Sequence, residues 1–266
     1  MIKLQLDEVE VLKKYEEFLN IRKVANFFGV STTPIKRVLN ENHVEVTNRR
    51  FFVDEGYFDK IDSEQKAYWL GFIYADGYIR ERKTGKSLEI KLAVKDKKHL
   101  ELFREHLKST HKITNRVNKV RYKGGISESQ ICAIAIYSSK IVESIKGQGV
   151  HSRKTFSITK PNIEEKFMNH FLRGYFDGDG SFSFDSSKYI IKTQIVCASV
   201  DFQNFIIEEL KKNEININLY SQIKLQIQKK IDNLHFYNYI YKNATIYLAR
   251  KKNKYEEFRR YYKYDN

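Results

Sequence analysis

Two nine-residue stretches of this chain nearly copy one another, and no other feature constrains its fold as strongly. One reads Trp69-Leu70-Gly71-Phe72-Ile73-Tyr74-Ala75-Asp76-Gly77, the other Leu172-Arg173-Gly174-Tyr175-Phe176-Asp177-Gly178-Asp179-Gly180. On a helix, the i, i+4 spacing puts Gly71 and Ala75 on one ridge and Gly174 and Gly178 on another. Ridges of small residues let two helix backbones approach closely. If the two helices run in like direction, both C-termini arrive together. Asp76 and Asp179 then meet at the negative ends of two helix dipoles. Two carboxylates in that place repel unless a divalent cation neutralises them. Hard oxygen ligands with room for water and phosphate oxygens suit Mg2+ or Mn2+. A single Asp-Gly is an ordinary helix stop, but two in equivalent helices, each with the upstream glycine, ask for a common reason.

The surroundings of the motif repeat as well. Residues 62–160 read as a helix capped by Asp62 and Gln65 and closed by Gly77. Strands over 78–82 and 87–94 follow, then a helix over 97–107, strands over 113–122 and 130–137, and a helix over 140–146. Residues 161–266 read in the same order: a helix capped by Asn162 and Glu165 and ending at Gly180, strands over 181–184 and 190–198, a helix over 202–212, strands over 221–227 and 236–241, and helical material over 245–262. Asp96 and Asp201 open matching helices and are expected as N-caps. The fold class expected is α+β, with two pseudo-symmetric αββαββα halves.

Residues 1–48 form a separate small all-α unit with helices over 8–19, 21–28 and 32–40. Ala25, Gly29 and Ile35 supply what a helix-turn-helix needs: a small residue at the helix contact, a glycine in the turn and an apolar anchor. Thr32, Thr33, Lys36 and Arg37 would then face the DNA major groove. Residues 49–61 read as a linker.

The formal net charge is +15, the footprint of a polyanion binder if it clusters on one face. The 18 Tyr and 18 Phe place that charge on a folded body and not on a disordered tail. The 2 Cys, Cys132 and Cys197, lie in apolar runs and read as core thiols of a reducing, intracellular compartment. No signal peptide or membrane span is expected. His99 and His106 are expected on a solvated helix face.

With Ala67-Tyr68-Trp69-Leu70-Gly71 and Phe171 through Ser181 added to the two motifs, the pattern over residues 50 to 266 resembles the LAGLIDADG homing endonucleases, in the single-chain form with two motif copies. The resemblance implies that Asp76 and Asp179 bind the catalytic metals, with the carbonyls of Ala75 and Gly178 beside them. It also implies two saddle-shaped antiparallel sheets over the DNA major groove. Tyr74 departs from the pattern where the family has an interior Asp, and Leu70 and Arg173 replace the usual Ala. Residues 149–155 resemble the stretch that carries a catalytic lysine, which points to Lys154. In the second half the same reasoning points to Lys251.

DNA contacts are expected from strand residues facing away from the helices: Arg80, Arg82, Lys91, Arg121, Lys123, Lys192, Gln194 and Lys224. Arg and Gln read base edges, whereas Lys mostly holds phosphates. The function expected is a site-specific double-strand DNA endonuclease, monomeric, with no obligate protein partner, cutting a long asymmetric target. An RNA maturase and a non-catalytic transcription regulator are the alternatives. An intein is disfavoured by the absence of splicing-domain signals.

Overall fold

The computed structural model describes residues 6–44, 51–83, 85–122, 124–152, 156–187 and 190–262. They fall into two compact units, Met1–Asp54 with Lys108–His111, and Glu55–Leu107 with Lys112–Asn266. In the first unit, Asp7 starts α1 (Glu8–Phe18) by accepting from the amides of Val9 and Glu10. Asn20 starts α2 (Ile21–Phe27) in the same way. Gly29, at φ +65°, makes the turn into α3 (Thr32–Glu41), a backbone conformation that side chains other than glycine's rarely adopt. Val11, Tyr15, Ile21, Val24, Ala25, Ile35, Val38 and Leu39 close a core around these three helices. Thr33, Lys36 and Arg37 are exposed on α3, and Thr32 is half-buried. Elsewhere in this unit Phe52 and Thr110 exchange hydrogen bonds, Phe52 N to Thr110 Oγ1 at 2.8 Å and Thr110 N to Phe52 O at 2.9 Å.

The second unit runs α4 (Glu64–Asp76), β1 (Gly77–Arg82), β2 (Gly85–Ala93), α5 (Lys97–His106), β3 (Ile113–Tyr122), β4 (Gly125–Tyr137) and α6 (Ser139–Gly147). It continues with α7 (Met168–Asp179), β5 (Gly180–Asp185), β6 (Ile190–Val196), α8 (Val200–Lys212), β7 (Asn218–Ser221), β8 (Lys224–Ile227), α9 (Lys230–Tyr241) and α10 (Ala249–Tyr261). The strands form two four-stranded antiparallel sheets of matching order, β1-β2-β4-β3 and β5-β6-β8-β7.

Several local expectations shift. Ser63, not Asp62, caps α4, its hydroxyl accepting from Lys66 N at 3.3 Å. Gly77 ends that helix in extended backbone, φ −74° and ψ 138°, because the chain passes straight into β1. Asn162 and Glu165 do not cap α7; a 3-10 turn over Glu165–Phe167 leads into it. Asp96 has no capping bond and Ser199, not Asp201, caps α8. The largest correction is residues 236–241, read as a strand and found in α9. The second half therefore ends αββαββαα. Phe-Tyr-Asn-Tyr-Ile-Tyr has strong strand propensity. Tertiary packing overrides it: Asp232, Asn233, Phe236, Tyr237, Ile240 and Tyr241 are the buried set, spaced as one helix face. The missing strand is β7, four short, wholly exposed residues.

Register fixes the faces. Ile79, Leu88 and Ile136 stand in one row across the first sheet, and Ile113, Ile134 and Ile90 in another, on the side toward the helices. Tyr78, Arg80, Arg82, Glu89, Lys91 and Arg116 alternate with them and take the opposite face. In the second sheet Phe182, Thr193, Ile195 and Leu225 face inward, and Ser183, Lys192, Gln194, Gln226 and Lys224 outward.

Candidate metal and nucleic-acid site

The motif helices touch backbone to backbone. A Cβ placed on Gly71 would come within 1.9 Å of Phe171 O, and one on Gly174 within 1.9 Å of Tyr68 O. Toward the C-terminal end, a Cβ on Gly178 would come 2.3 Å from Ala75 Cβ and 3.2 Å from Asp76 Oδ2. The small-residue ridges thus mesh at all three places, and they bring the Asp76 carboxylate against the last turn of α7, which carries Asp179. Both aspartates are half-buried.

Lys251 lies beneath this point. Its Nζ donates to the carbonyls of Phe176 at 2.7 Å, Asp177 at 2.7 Å, Gly178 at 3.3 Å and Gly180 at 2.5 Å. The side chain is 6 % exposed. Burial lowers the ammonium to about 8, opposed by the pull of Asp177, Asp76 and Asp179. A lysine in this place caps the C-terminus of α7, satisfying carbonyls that a helix end leaves unpaired. It reaches the candidate site through the backbone that carries Asp179, and it already engages the Gly178 carbonyl.

The interior motif positions anchor the neighbouring chain. Asp177 is buried and accepts from Tyr241 Oη at 2.7 Å, Leu248 N at 2.7 Å and, across the helix contact, Tyr68 Oη at 2.8 Å. Burial pushes its carboxyl up, against the lowering effect of these donors. Tyr68 Oη also lies 2.8 Å from His99 Nε2. With the tyrosine proton given to Asp177, His99 donates from Nε2 and stays neutral, its ring held down to about 3 by burial. The expectation of a solvated His99 and His106 face is therefore corrected: His99 is buried and His106 Nδ1 accepts from Trp69 Nε1 at 2.8 Å. Their spacing with Leu100 and Phe103 was the available signal. Tyr74, the counterpart of Asp177, donates to Gln148 O at 2.5 Å.

Arg173, the second departure from the motif, is fully buried. Its Nη2 meets Glu64 Oε1 at 2.6 Å, Nε the carbonyl of Ile246 at 2.8 Å and Nη1 that of Ile240 at 2.8 Å. Arg250 Nε lies 3.1 Å from Asp96 Oδ2, so Asp96 ties the two halves together. Asp201 is exposed in the first turn of α8.

Of the sequence-nominated DNA contacts, Arg80, Arg82 and Lys91 share the outward face of the first sheet, and Lys192, Gln194 and Lys224 that of the second. Arg121 has the parity of Ile113 and falls on the other face, on a hairpin whose residues 114–130 are exposed wherever described. Arg116, missed in the sequence, stands on the outward face. Lys123 and Lys154 lie outside the described residues.

Residues 63–146, the first motif half, match the LAGLIDADG-like domain family. The fold is that of the LAGLIDADG proteins. The structure of the homing endonuclease I-WcaI bound to its DNA recognition sequence is similar at a TM-score of 0.54, with 15% identity, over 73% of this chain and 87% of that one. The N-terminal LAGLIDADG domain of WhiA gives 0.47 at 18% identity, over 77% and 93%. The meganuclease I-SmaMI on uncleavable DNA gives 0.48 at 13%, over 74% and 90%. No curated protein sequence matches the chain. The two matching sheets and the paired motif helices agree with the single-chain, two-motif form.

The donor set fits a hard divalent cation. Asp76 would offer a carboxylate beside Gly178 in the last turn of α7, and that turn also carries Asp179; the Ala75 and Gly178 carbonyls belong to the same two helix ends. Among the described residues there is no group of three or more His, Cys, Asp or Glu that could hold a metal ion, so a cation here would rest on two carboxylates, carbonyls and water. Cys132 and Cys197 are buried free thiols, and no helix among the described residues is long and apolar enough to cross a membrane.

Proposed function

We propose that this chain is a divalent-metal-dependent endonuclease that hydrolyses phosphodiesters in both strands of a long, asymmetric DNA duplex. The observation that carries the reading is the Asp76 carboxylate lying against the last turn of α7, the turn that carries Asp179, where α4 and α7 contact through glycine, together with two outward, cation-bearing sheet faces. Asp76 and Asp179, with the Ala75 carbonyl and less readily the lysine-engaged Gly178 carbonyl, would hold Mg2+ or Mn2+. When bound, such an ion activates water and stabilises the leaving oxygen. The chain's own residues do the rest. Arg80, Arg82 and Lys91 on one sheet, and Lys192 and Lys224 on the other, neutralise phosphates and fix the register of the duplex. Lys251 holds the carbonyl end of α7, and with it Asp179, in place. Lys154 is the residue assigned to stabilise charge on the phosphate. Thr33, Lys36 and Arg37 extend the footprint. The two halves read different sequences, so one chain suffices and the target is not a palindrome. The protein acts inside the cell, and homing of its own gene is the role that fits.

Retention of both carboxylates favours a nuclease over an RNA maturase or a non-catalytic regulator. The test is cutting of DNA that joins the two flanks of the gene's insertion site, with Mg2+ and with EDTA. Asp76→Asn and Asp179→Asn are expected to abolish cutting and keep binding in Ca2+. Undiminished cutting by both variants, or in EDTA, overturns the metal assignment.

A further inference from the structure

Glu89 sits on the outward face of the first sheet, where a carboxylate ought to be unwelcome to DNA. It is nearly buried, its side chain 6% exposed, because three cations cover it. Arg80 Nη2 lies 3.3 Å from Oε2, Lys91 Nζ 3.2 Å from Oε2 and Arg116 Nη1 3.4 Å from Oε1. Those cations remain about half-exposed at 41%, 49% and 52%. Arg80 is held from a second side, its Cζ 5.7 Å from the centre of the Tyr78 ring. On the neighbouring β4, Glu89 faces Ala135, a side chain too short to reach its oxygens. Each guanidinium thus gives one nitrogen to Glu89 and keeps about half of its side chain exposed.

The second half makes the contrast. Tyr78 pairs with Glu89 and Ser181 with Gln194, so Gln194 occupies the equivalent place. Opposite it stands Gln226 in place of Ala135, and Gln194 Nε2 donates to Gln226 Oε1 at 3.1 Å. One half presents forks gathered on a carboxylate, the other an amide pair.

We propose that Glu89 is a specificity-determining residue: it holds Arg80 and Arg116 so that their outer edges read guanine in one half of the target. A planar fork matches guanine O6 and N7 bidentately. A fork already held on one edge loses less rotational freedom when the other edge binds. Lys91, a point charge, takes the adjacent phosphate. This inference rests on the reading of the sheets as the DNA-binding surface.

The experiment selects binders for the full chain from a duplex library of random sequence, in Ca2+ so that nothing is cut. The wild type is expected to enrich guanine at one or two positions in one half-site. Glu89→Gln is expected to lower that preference about tenfold, the scale of one bidentate base contact, while binding mismatched DNA more tightly for the lost negative charge. Arg116→Lys keeps the charge and loses the fork; it is expected to relax one guanine position with an unchanged salt dependence. Thermal unfolding of both variants confirms the fold. If neither variant alters the base profile, Glu89 merely buffers three cations and the proposal falls. A wild-type protein that enriches no sequence contradicts the DNA reading itself and takes this inference with it, which separates the two failures.

Discussion

The two motif helices are alike where they touch and unlike everywhere else. Gly71 and Gly174 make mirror contacts, each Cβ position 1.9 Å from a carbonyl of the other helix. Three residues on, Tyr74 sends one hydroxyl to Gln148 O, whereas Asp177 gathers three donors, one of them from the opposite half. The sheets diverge in the same manner, forks around Glu89 in one and paired amides in the other. Identity is kept where the backbones meet and at the aspartate that ends each helix. Difference is allowed where side chains fill the surroundings or face the ligand. The asymmetric target proposed above would call for that distribution.

The largest effect should come from breaking the shared part. Gly71→Ala and Gly174→Ala each drive a methyl into backbone that cannot step aside, and each is expected to cost about 3 kcal/mol or more. Denaturant unfolding measures this. Near-equal losses sustain the mirror contact, and tolerance of one variant alone would refute it. Next, Asp177→Leu leaves Tyr241 and the Leu248 amide without an acceptor and Tyr68 with His99 alone, a loss of about 3 kcal/mol or more, against about 1 kcal/mol for Tyr74→Phe. Equal losses would mean that the interior positions do equivalent work. A smaller effect is pH-dependent. His99 is held to about 3 in the folded chain, below the ordinary histidine value of about 6.5, so the unfolded chain binds the extra proton between them. Its contribution is present above pH about 6.5 and is lost as pH falls toward 3, at up to about 1.4 kcal/mol per pH unit. Burial lowers His106, His111 and His170 in the same direction, so His99→Phe should reduce the slope of stability curves taken between pH 4 and 7 without abolishing it, and an unchanged slope would place the titration at those other histidines. Last, Lys36→Ala and Arg37→Ala on α3 should leave stability unchanged and lower the salt slope of DNA binding by about one each.

Much of the fold and the site is legible in the sequence because the repeat is written in glycine and aspartate, residues whose reasons are local. The spacing of Gly71, Gly174, Asp76 and Asp179 is enough to place all four at the helix contact. The first half followed closely, its elements long and periodic. Residues 236–241 misled because a Tyr- and Phe-rich run satisfies strand propensity and helix burial alike; only the packing of Phe236 and Tyr255 among their neighbours decides. Lys251 was singled out by the resemblance, but its burial and its grip on the end of α7 were hidden: in Arg250-Lys251-Lys252 nothing marks one lysine as buried, and its partners are more than 70 residues away. Glu89 was invisible because Arg116, 27 residues on, reaches it only after β4 has folded between them.

The ion pair of Glu64 and Arg173 has a consequence for self-recognition. Across the repeat, the place of Glu64 is taken by Phe167 and that of Arg173 by Leu70. Two first halves brought together would each offer a carboxylate to a leucine, and two second halves would each bury a guanidinium against a phenylalanine, at a cost of several kcal/mol per stranded charge. Only unlike halves complete the contact. The glycine ridges would accept any similar partner. The lock at residue 173 therefore favours the pairing of unlike halves, the arrangement in which Glu64 and Arg173 find each other and, on the proposed reading, in which two different sheet faces would meet one target.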